Sequence, residues 1–292
     1  MLSPNVIRNP DILRTRTRKI QISKVLYFII AIVILAIWLY PAFLDVITAV
    51  KTDNEVLASP LALPAHPTLE GFIKTWNYIT FGTLIKNSFI ITIGAVLLGI
   101  VISSIPAYAF SRFRIPGGDL IFIILLTTLM LPQQTVIIPL YAVLGRLGLL
   151  DTLLGLIVVH AVYGMPFNMF VMRGFMAGIP QELEAAARMD GCSDFGLYRR
   201  IILPLSVPAI AVAATLNFIN IWNEFFFAIV LLQSNAKFPV TVGMITITQS
   251  QYFSSWNTPA AAVIMAQIPT IILYIFAHRY ITRGLLAGGV KG

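Results

Sequence analysis

The stretch EAAARMDGCSDFGLYRRIILP, Glu184–Pro204, is a charged and patterned insert between two long apolar segments. Pro180 suits the first turn of a helix, Glu182 and Glu184 complement the dipole of that turn, and three consecutive alanines favour helix. Gly191 predicts a left-handed stop, and a serine two residues later is typical of the N-cap of a second helix. The insert is therefore predicted to form two short helices joined at a bend.

The second predicted helix carries an apolar stripe, because Phe195, Tyr198 and Ile202 recur at helical spacing. Arg199 and Arg200 lie off that stripe, and Pro204 is expected to end the helix. The insert is too short to span a bilayer and more patterned than a linker. Two interpretations remain open: a docking element for a soluble partner, or a loop that packs under its own helical bundle.

The composition of the whole chain is that of an integral membrane protein. Of its 292 residues, 58% are hydrophobic and 11% are charged, whereas soluble domains carry roughly 25% charged residues. Such a chain cannot cover itself with a polar surface in water. Its one cysteine, Cys192, excludes an intramolecular disulfide and a multi-cysteine metal site.

Six apolar segments are long enough to cross a hydrocarbon core of about 30 Å as helices. They predict an all-α, polytopic membrane protein with spans at 25–44, 87–110, 120–141, 152–172, 206–232 and 259–280. Prolines interrupt the third span at Pro132 and Pro139. Breaks are also expected around Gly164 to Asn168 in the fourth span, and at Gln267 and Pro269 in the sixth.

The distribution of basic residues predicts the orientation. With the N-terminus inside, 15 of the 20 lysines and arginines fall on the cytoplasmic side, as topology rules favour. Both termini and the insert within loop 173–205 are then cytoplasmic, and loop 45–86 is outside with a short helix near 69–78. The net charge of +8 is thereby explained without nucleic acid. Residues 1–24 form a basic arm that fixes topology or contacts a partner, and the first span is retained rather than cleaved.

The insert resembles the cytoplasmic loop of ATP-binding-cassette importer permeases, which reads EAA, three residues, G, nine residues, I-x-L-P. Gly191, Ile201, Leu203 and Pro204 fit that pattern without a gap. The motif glutamate falls at Ala185, and Glu184 stands one place early. NSFIITIGAVL from residue 87, AYAFSRFRIPG from 107, LPQQTVIIPLYAVLGRLGLLDTLLGLI from 131, WNEFFFA from 222 and RGLLAGGVKG from 283 resemble the sugar-importer branch, and its smaller, maltose-type permease subunit.

The resemblance implies a heterodimer with a second permease, two ATPase subunits that use ATP and Mg, and an extracytoplasmic solute-binding protein, in a bacterial inner membrane. This chain has no G-x-x-x-x-G-K-[ST] phosphate loop and is expected to bind no cofactor or metal. The implied ATPase-coupling residues are Glu182, Glu184, Ala185, Ala186, Ala187, Arg188, Asp190, Gly191, Phe195, Tyr198, Ile201, Leu203 and Pro204. The tail 283–292 offers Gly289, Lys291 and Gly292 as further contacts, or is simply a flexible end.

Polar residues inside the predicted spans are candidates for a translocation path. Asn217, Asn220 and Glu224 recur at i, i+3 and i+7 and so are predicted to share one helix face. They form either a polar wall for sugar hydroxyls or a hydrogen-bonded seam between the two permeases. Gln133 and Gln134 line the path or satisfy backbone groups freed by the prolines. His160 is expected to be a packed, hydrogen-bonding residue rather than a proton relay.

The sequence therefore predicts the permease subunit of an ATP-driven importer of an oligosaccharide or other carbohydrate. The main alternative is a secondary transporter driven by an ion gradient, for which Glu224 is the only buried acidic candidate. An intramembrane enzyme is disfavoured because no serine-hydrolase, zinc-protease or paired-aspartate motif occurs.

Overall fold

The computed structural model describes residues 10–78, 80–249 and 255–289, and side chains within 24–77, 80–245 and 255–278. Every regular element in these ranges is helical, which confirms the all-α class. The helices are α1 (Pro10–Ala49), α2 (Asp53–Ala58), α3 (Glu70–Tyr78), α4 (Phe81–Arg112), α5 (Gly118–Thr127), α6 (Gln133–Arg146), α7 (Leu153–Ala177), α8 (Gln181–Met189), α9 (Asp194–Leu197), α10 (Leu203–Leu205), α11 (Val207–Trp222), α12 (Phe226–Leu231), α13 (Val240–Gln249) and α14 (Asn257–Gly289).

Four stretches in this part of the chain are single helices long and apolar enough to cross a membrane: Lys24–Ala49 of α1, α4, α7 and Asn257–His278 of α14. Two bent pairs raise the number to six if each is one span. Gly118–Met130 meets α6 at 102°, and Asp194–Leu205 meets α11 at 68°. The chain is a multi-pass membrane protein, as its composition predicts.

Helices α4 and α7 form the centre of the bundle because α4 presents small residues to α7. Ala95, Gly99, Ser103 and Ala107 recur every four residues along α4, and all four are buried. At Gly99 an added Cβ would lie 3.2 Å from the Asn168 amide nitrogen and 3.4 Å from the Ala161 carbonyl oxygen. Small residues at this spacing let two membrane helices approach closely, which is how van der Waals contact holds them together in lipid.

Two of the predicted helix breaks are wrong. Pro166 lies inside the continuous helix α7, and Pro269 lies inside the continuous helix α14. The third span does break, between Met130 and Gln133, whereas Pro139 sits within α6. A proline removes one backbone hydrogen bond, and packed neighbours in a membrane bundle can compensate for that loss. Of the prolines expected to break spans, only Pro132 lies at a sharp bend between helices.

The segment between α1 and α4 is more ordered than an extended loop 45–86 suggests. The helix expected near 69–78 is present as α3, and α4 already begins at Phe81. The Lys51 side chain is almost fully buried and donates hydrogen bonds to the carbonyl oxygens of Ser59 at 2.8 Å and Pro60 at 2.9 Å. These contacts fold the segment back toward the end of α1, and Asn257 Nδ2 of α14 donates to the Lys51 carbonyl at 3.0 Å.

Most of α1 stands away from the rest of the described chain. The side chains of residues 24–43 are all exposed, including Trp38 at 79% and Tyr27 at 72%. Burial begins only at Ile47 and Ala49, near the end of the helix. An apolar helix exposed on every side needs lipid or another membrane subunit around it.

Asp151 ties two loops together at the end of the bundle opposite α8. Its Oδ1 accepts the N–H groups of Gln233 and Ser234 at 2.9 Å, and its Oδ2 accepts from the Ser234 hydroxyl and from Lys237 Nζ at 2.9 Å. These hydrogen bonds hold the pKa of the Asp151 carboxyl well below its ordinary value. The Ser234 hydroxyl makes the largest contribution, followed by the two N–H groups and Lys237. The cluster fixes the C-terminal end of α12.

We expect Asp151→Asn to lower the melting temperature at neutral pH but not in strong acid. A carboxylate with a depressed pKa contributes stability above its unfolded pKa of about 3.9, and loses it as the pH falls through the folded value. Thermal unfolding in detergent at pH 7 and at stepwise lower pH values, from about 4 into strong acid, measures the difference, which should shrink progressively. Asp119→Asn is the matched control, because that side chain is 91% exposed with Arg173 beside it. An equal deficit for Asp151→Asn at pH 7 and in strong acid would contradict the prediction.

Candidate functional site

Glu224 lies at a break in the fifth predicted span, not on a continuous helix face. Helix α11 ends at Trp222 and α12 begins at Phe226. The Glu224 carboxylate accepts hydrogen bonds from the backbone N–H of Phe227 at 2.7 Å and of Ala228 at 3.4 Å. It therefore caps the start of α12, where unpaired N–H groups and the helix dipole favour a negative charge. The predicted i, i+3, i+7 stripe is wrong at Glu224.

His160 of α7 is not an isolated histidine. Its Nε2 lies 3.5 Å from Oε2 of Glu224, and the two side chains are only 6% and 9% exposed. Phe227 packs edge-on against the imidazole, with ring centroids 5.8 Å apart. The pair joins α7 to the α11–α12 break, a contact between residues 64 positions apart that helix periodicity cannot reveal.

Asn217 forms a hydrogen-bonded seam inside this chain. Its Nδ2 donates to Oδ1 of Asn168 in α7 at 2.6 Å and to the Ala213 carbonyl at 2.8 Å. Gly164 makes room for this contact, since a Cβ there would lie 2.7 Å from Oδ1 of Asn217. This bond joins α7 and α11 of one chain, whereas the seam expected from the sequence was one between two permeases.

We expect Asn168→Ala and Asn217→Ala each to destabilise the protein by about 0.6–1.7 kcal/mol, the range measured for such bonds in membranes. The double variant should be hardly less stable than either single one, because the same bond is lost in each. Unfolding by SDS in bicelles measures this cycle. Asn223→Ala supplies the control: Asn223 bonds to its own helix at Ile219, so its effect should add to that of Asn168→Ala. Additivity in the Asn168–Asn217 cycle would contradict the seam.

An open cavity of about 670 Å³ lies at the α11–α12 break. Its lining combines amide side chains, aromatic rings and the His160–Glu224 pair: Leu129, Gln133, His160, Tyr163, Gly164, Phe167, Asn217, Asn220, Ile221, Asn223, Glu224, Phe225 and Phe226. Four of the five predicted path residues meet here, and Gln134 does not line the cavity. None of these lining residues is lysine or arginine.

The break in the third span supplies another wall of the cavity. The Tyr163 hydroxyl donates to the Leu131 carbonyl at 3.1 Å, so a tyrosine of α7 rather than a glutamine satisfies this carbonyl at the bend. Gln133 is left to face the cavity. Nothing in the sequence indicated this role of Tyr163, because the carbonyl that it binds lies 32 positions earlier in the chain.

The insert folds as two short helical segments joined at a bend. Gly191 has φ +78°, and the Ser193 hydroxyl accepts the N–H of Gly196 at 3.2 Å as an N-cap. Helix α9 continues through a π-helical turn, Tyr198–Ile202, into α10. Pro204 lies within α10, so the predicted stop at this residue is wrong, and the chain bends at Ser206 instead.

The insert has an inner and an outer face. Glu184, Leu197, Tyr198 and Ile202 are buried against the bundle, whereas Phe195 is 64% exposed, so the predicted stripe is wrong at Phe195. Ala187, Ile201 and Leu203 are half-buried. The remaining predicted coupling residues are exposed: Glu182, Ala185, Ala186, Arg188, Asp190, Gly191, Phe195 and Pro204. Gly289 is the last residue of α14, and Lys291 and Gly292 lie outside the described residues.

Residues of α4 that the sequence did not single out hold the inner face. Arg112 pairs with Glu184, and the Ser104 and Tyr198 hydroxyls lie 2.7 Å apart. The only sequence cue was a basic residue at the predicted cytoplasmic end of a span. Among the described residues, no group of three His, Cys, Asp or Glu side chains is placed to hold a metal ion.

Comparison with known proteins adds three similarities. Residues 95–286 match the family model described as binding-protein-dependent transport system inner membrane component. A putative ABC transporter permease of Caldicellulosiruptor sp. is 35% identical over 280 residues, 94% of this chain and 99% of that protein. A probable starch degradation products transport system permease of Thermoanaerobacterium thermosulfurigenes is 31% identical over 94% of this chain and 99% of its own length.

The fold also matches a solved structure. A chain in the crystal structure of a bacterial ABC transporter that imports the acidic polysaccharide alginate superposes with a TM-score of 0.80 at 25% identity. The match covers 90% of this chain and 98% of the other.

Proposed function

Because the chain belongs to the family of binding-protein-dependent transport system inner membrane components, we propose that it is the permease subunit of an ATP-driven importer of an uncharged oligosaccharide. The observation that carries the cargo assignment is the lining of the cavity at the α11–α12 break. Gln133, Asn220 and Asn223 offer amides to hydroxyl groups, and Tyr163 and Phe167 offer apolar faces to sugar rings. A volume of about 670 Å³ lies within the usual range for small-molecule sites.

The charge of the lining favours a neutral cargo over an acidic one. Glu224 is the only carboxylate among the lining residues, and no lysine or arginine lies there to pair with an acidic sugar. Two like charges 4 Å apart repel by about 4 kcal/mol at an effective dielectric constant of 20. The cavity therefore fits the kind of cargo for which the starch-product permease is named better than the acidic polysaccharide of the alginate importer.

The outer face of the insert is proposed to dock on an ATPase subunit. Leu183, Met189 and Phe195 are 46%, 89% and 64% exposed there, beside the exposed Arg199 and Arg200. ATP and Mg would be bound by that subunit, since this chain lacks a phosphate-binding loop. Closure of the ATPase subunits would move the insert and switch the cavity between its two access states.

The remaining partners follow the same proposal. A second permease and lipid would cover the exposed surface of α1, and an extracytoplasmic solute-binding protein would deliver the cargo at the end that carries Asp151. The chain would lie in a bacterial inner membrane. Because basic residues favour the inner side of a membrane, both termini and the insert would face the cytoplasm. The tail after α14 would add contacts to the ATPases.

Reconstitution of the four-component complex in proteoliposomes tests the transport function. We expect uptake of the sugar held by the solute-binding protein only when ATP is supplied on the insert side. Omission of the ATPase subunit is the control and should stop uptake. Uptake by this chain alone under a proton or sodium gradient would contradict the proposal and support a secondary transporter.

Mass spectrometry of the ligand carried by the cognate solute-binding protein tests the cargo. We expect an uncharged di- or oligosaccharide. A ligand containing uronic acid or phosphate would contradict the cargo assignment but leave ATP-driven transport intact.

A further inference from the structure

Helix α8 buries a glutamate and exposes its large apolar residues. Glu184 is the buried residue of this helix, while Leu183 is 46% and Met189 is 89% exposed. A buried carboxylate needs a partner of opposite charge, because removal from water disfavours the ionised group. Glu184 therefore serves a contact inside the chain.

The partner of Glu184 is Arg112, the last residue of α4. Its Nε pairs with Glu184 Oε1, and the two side chains are 6% and 9% exposed. Its Nη2 also donates to the Ile179 carbonyl at 2.9 Å, just before α8 begins. One guanidinium thus holds both the first turn of α8 and the segment that leads into it.

Two more contacts attach the insert to the same face of α4. Tyr198 pairs with Ser104 at 2.7 Å, and the Tyr108 hydroxyl lies 3.5 Å from the Asp194 carbonyl oxygen. Ser104, Tyr108 and Arg112 are four residues apart, so they form one row along the helix. Each member of the row contacts a different part of the insert: the π-helical turn, α9 and α8.

We propose that the Arg112–Glu184 pair fixes α8 to α4, so that the insert and α4 move as one body, and that Glu184 is a positioning residue rather than a contact for the ATPase. The inference rests on the proposed function, because it assigns the coupling path of that importer. With Ala185 exposed at the place of the motif glutamate, α8 meets its partner through its outer face alone.

Charge reversal and exchange in the complete importer test the pair. We expect Glu184→Arg or Arg112→Glu to lower the amount of sugar imported per ATP hydrolysed about tenfold or more, and the double exchange to restore most of it. Glu184→Asp should act mildly. Asp119→Arg is the matched control, because it reverses an exposed ion pair with Arg173, and it should leave the ratio unchanged. Failure of the double exchange to restore coupling, with assembly intact, would overturn the inference.

A crosslink supplies an answer even if the reversed variants fail to assemble. Cysteines replace Arg112 and Glu184 in a Cys192→Ser background, which removes the one native cysteine, and a short bis-maleimide joins them. We expect the joined complex to import more sugar per ATP than the unjoined one. If joining the residues stops uptake, α8 must move relative to α4 and the inference fails. If the unmodified complex itself shows no ATP-driven uptake, the proposed function fails instead.

Discussion

We expect Gly191→Pro to abolish sugar-stimulated ATP hydrolysis and uptake, while the chain still inserts into the membrane. Gly191 has φ +78°, whereas proline is locked near −65° and has no N–H. The N–H that is lost donates to the Arg188 carbonyl at 3.0 Å. The bend between α8 and α9 therefore cannot form, and the outer face of the insert loses its shape.

Gly191→Ala separates backbone strain from crowding. No atom lies within 4 Å of an added Cβ at this position, so the expected loss comes only from the left-handed backbone, at about 1–2 kcal/mol. Proteoliposome uptake and ATPase assays should rank wild type above alanine and alanine above proline. Gly174→Ala, also in open space but within α7, should behave as wild type. Undiminished uptake by Gly191→Pro would contradict the docking role of the insert.

Glu224→Ala should reduce uptake at least tenfold without preventing assembly of the complex. The change leaves the N–H groups of Phe227 and Ala228 without their acceptor at a position where the side chain is only 9% exposed, at about 1–3 kcal/mol for each unsatisfied group. It also removes the partner of His160, so the wall of the cavity at the α11–α12 break is no longer held in place. Glu224→Gln retains an acceptor oxygen and should lose less.

The control for Glu224 is another helix cap remote from the cavity. The Thr152 hydroxyl accepts the N–H of Gly155 at 3.0 Å, so Thr152→Ala should lower thermal stability by about 0.5–2 kcal/mol but leave uptake unaffected. Uptake and co-purification of the partner subunits distinguish the outcomes. Loss of the complex in Glu224→Ala would favour a seam between the two permeases, and normal uptake would exclude a role in the path.

The membrane class and the bend of the insert could be predicted because they depend on local features. Apolar runs of sufficient length indicate membrane spans. Gly191 and Ser193, which flank Cys192, indicate the end of one helix and the N-cap of the next. Proline was a weaker guide: Pro132 accompanies a sharp bend, whereas Pro166 and Pro269 lie inside continuous helices. Which proline redirects the chain depends on neighbouring groups, and those are known only once the helices pack.

The members of the candidate site could largely be predicted from the sequence, but their roles could not. Polar residues in a lipid-embedded sequence mark a site, and Gln133, Asn217, Asn220 and Glu224 do converge on one cavity. Their roles differ, however, because the helix ends before Glu224 and turns the carboxylate toward α12. The pairing of Arg112 with Glu184 joins residues 72 positions apart, so no local pattern could place that glutamate on the inner face.

The length of helix α4 determines how far its two tips move when the helix tilts. Its 32 residues make a rod of about 48 Å, which exceeds the hydrocarbon thickness of about 30 Å. One tip lies at Arg112; near the other, Asn87 and Ser88 hold the chain at Ala236, Phe238 and Val240. A tilt of about 10° around its midpoint displaces each tip by about 4 Å in opposite directions. In the proposed importer, a displacement of the Arg112 tip by the insert would therefore move the opposite tip by a similar distance in the reverse direction.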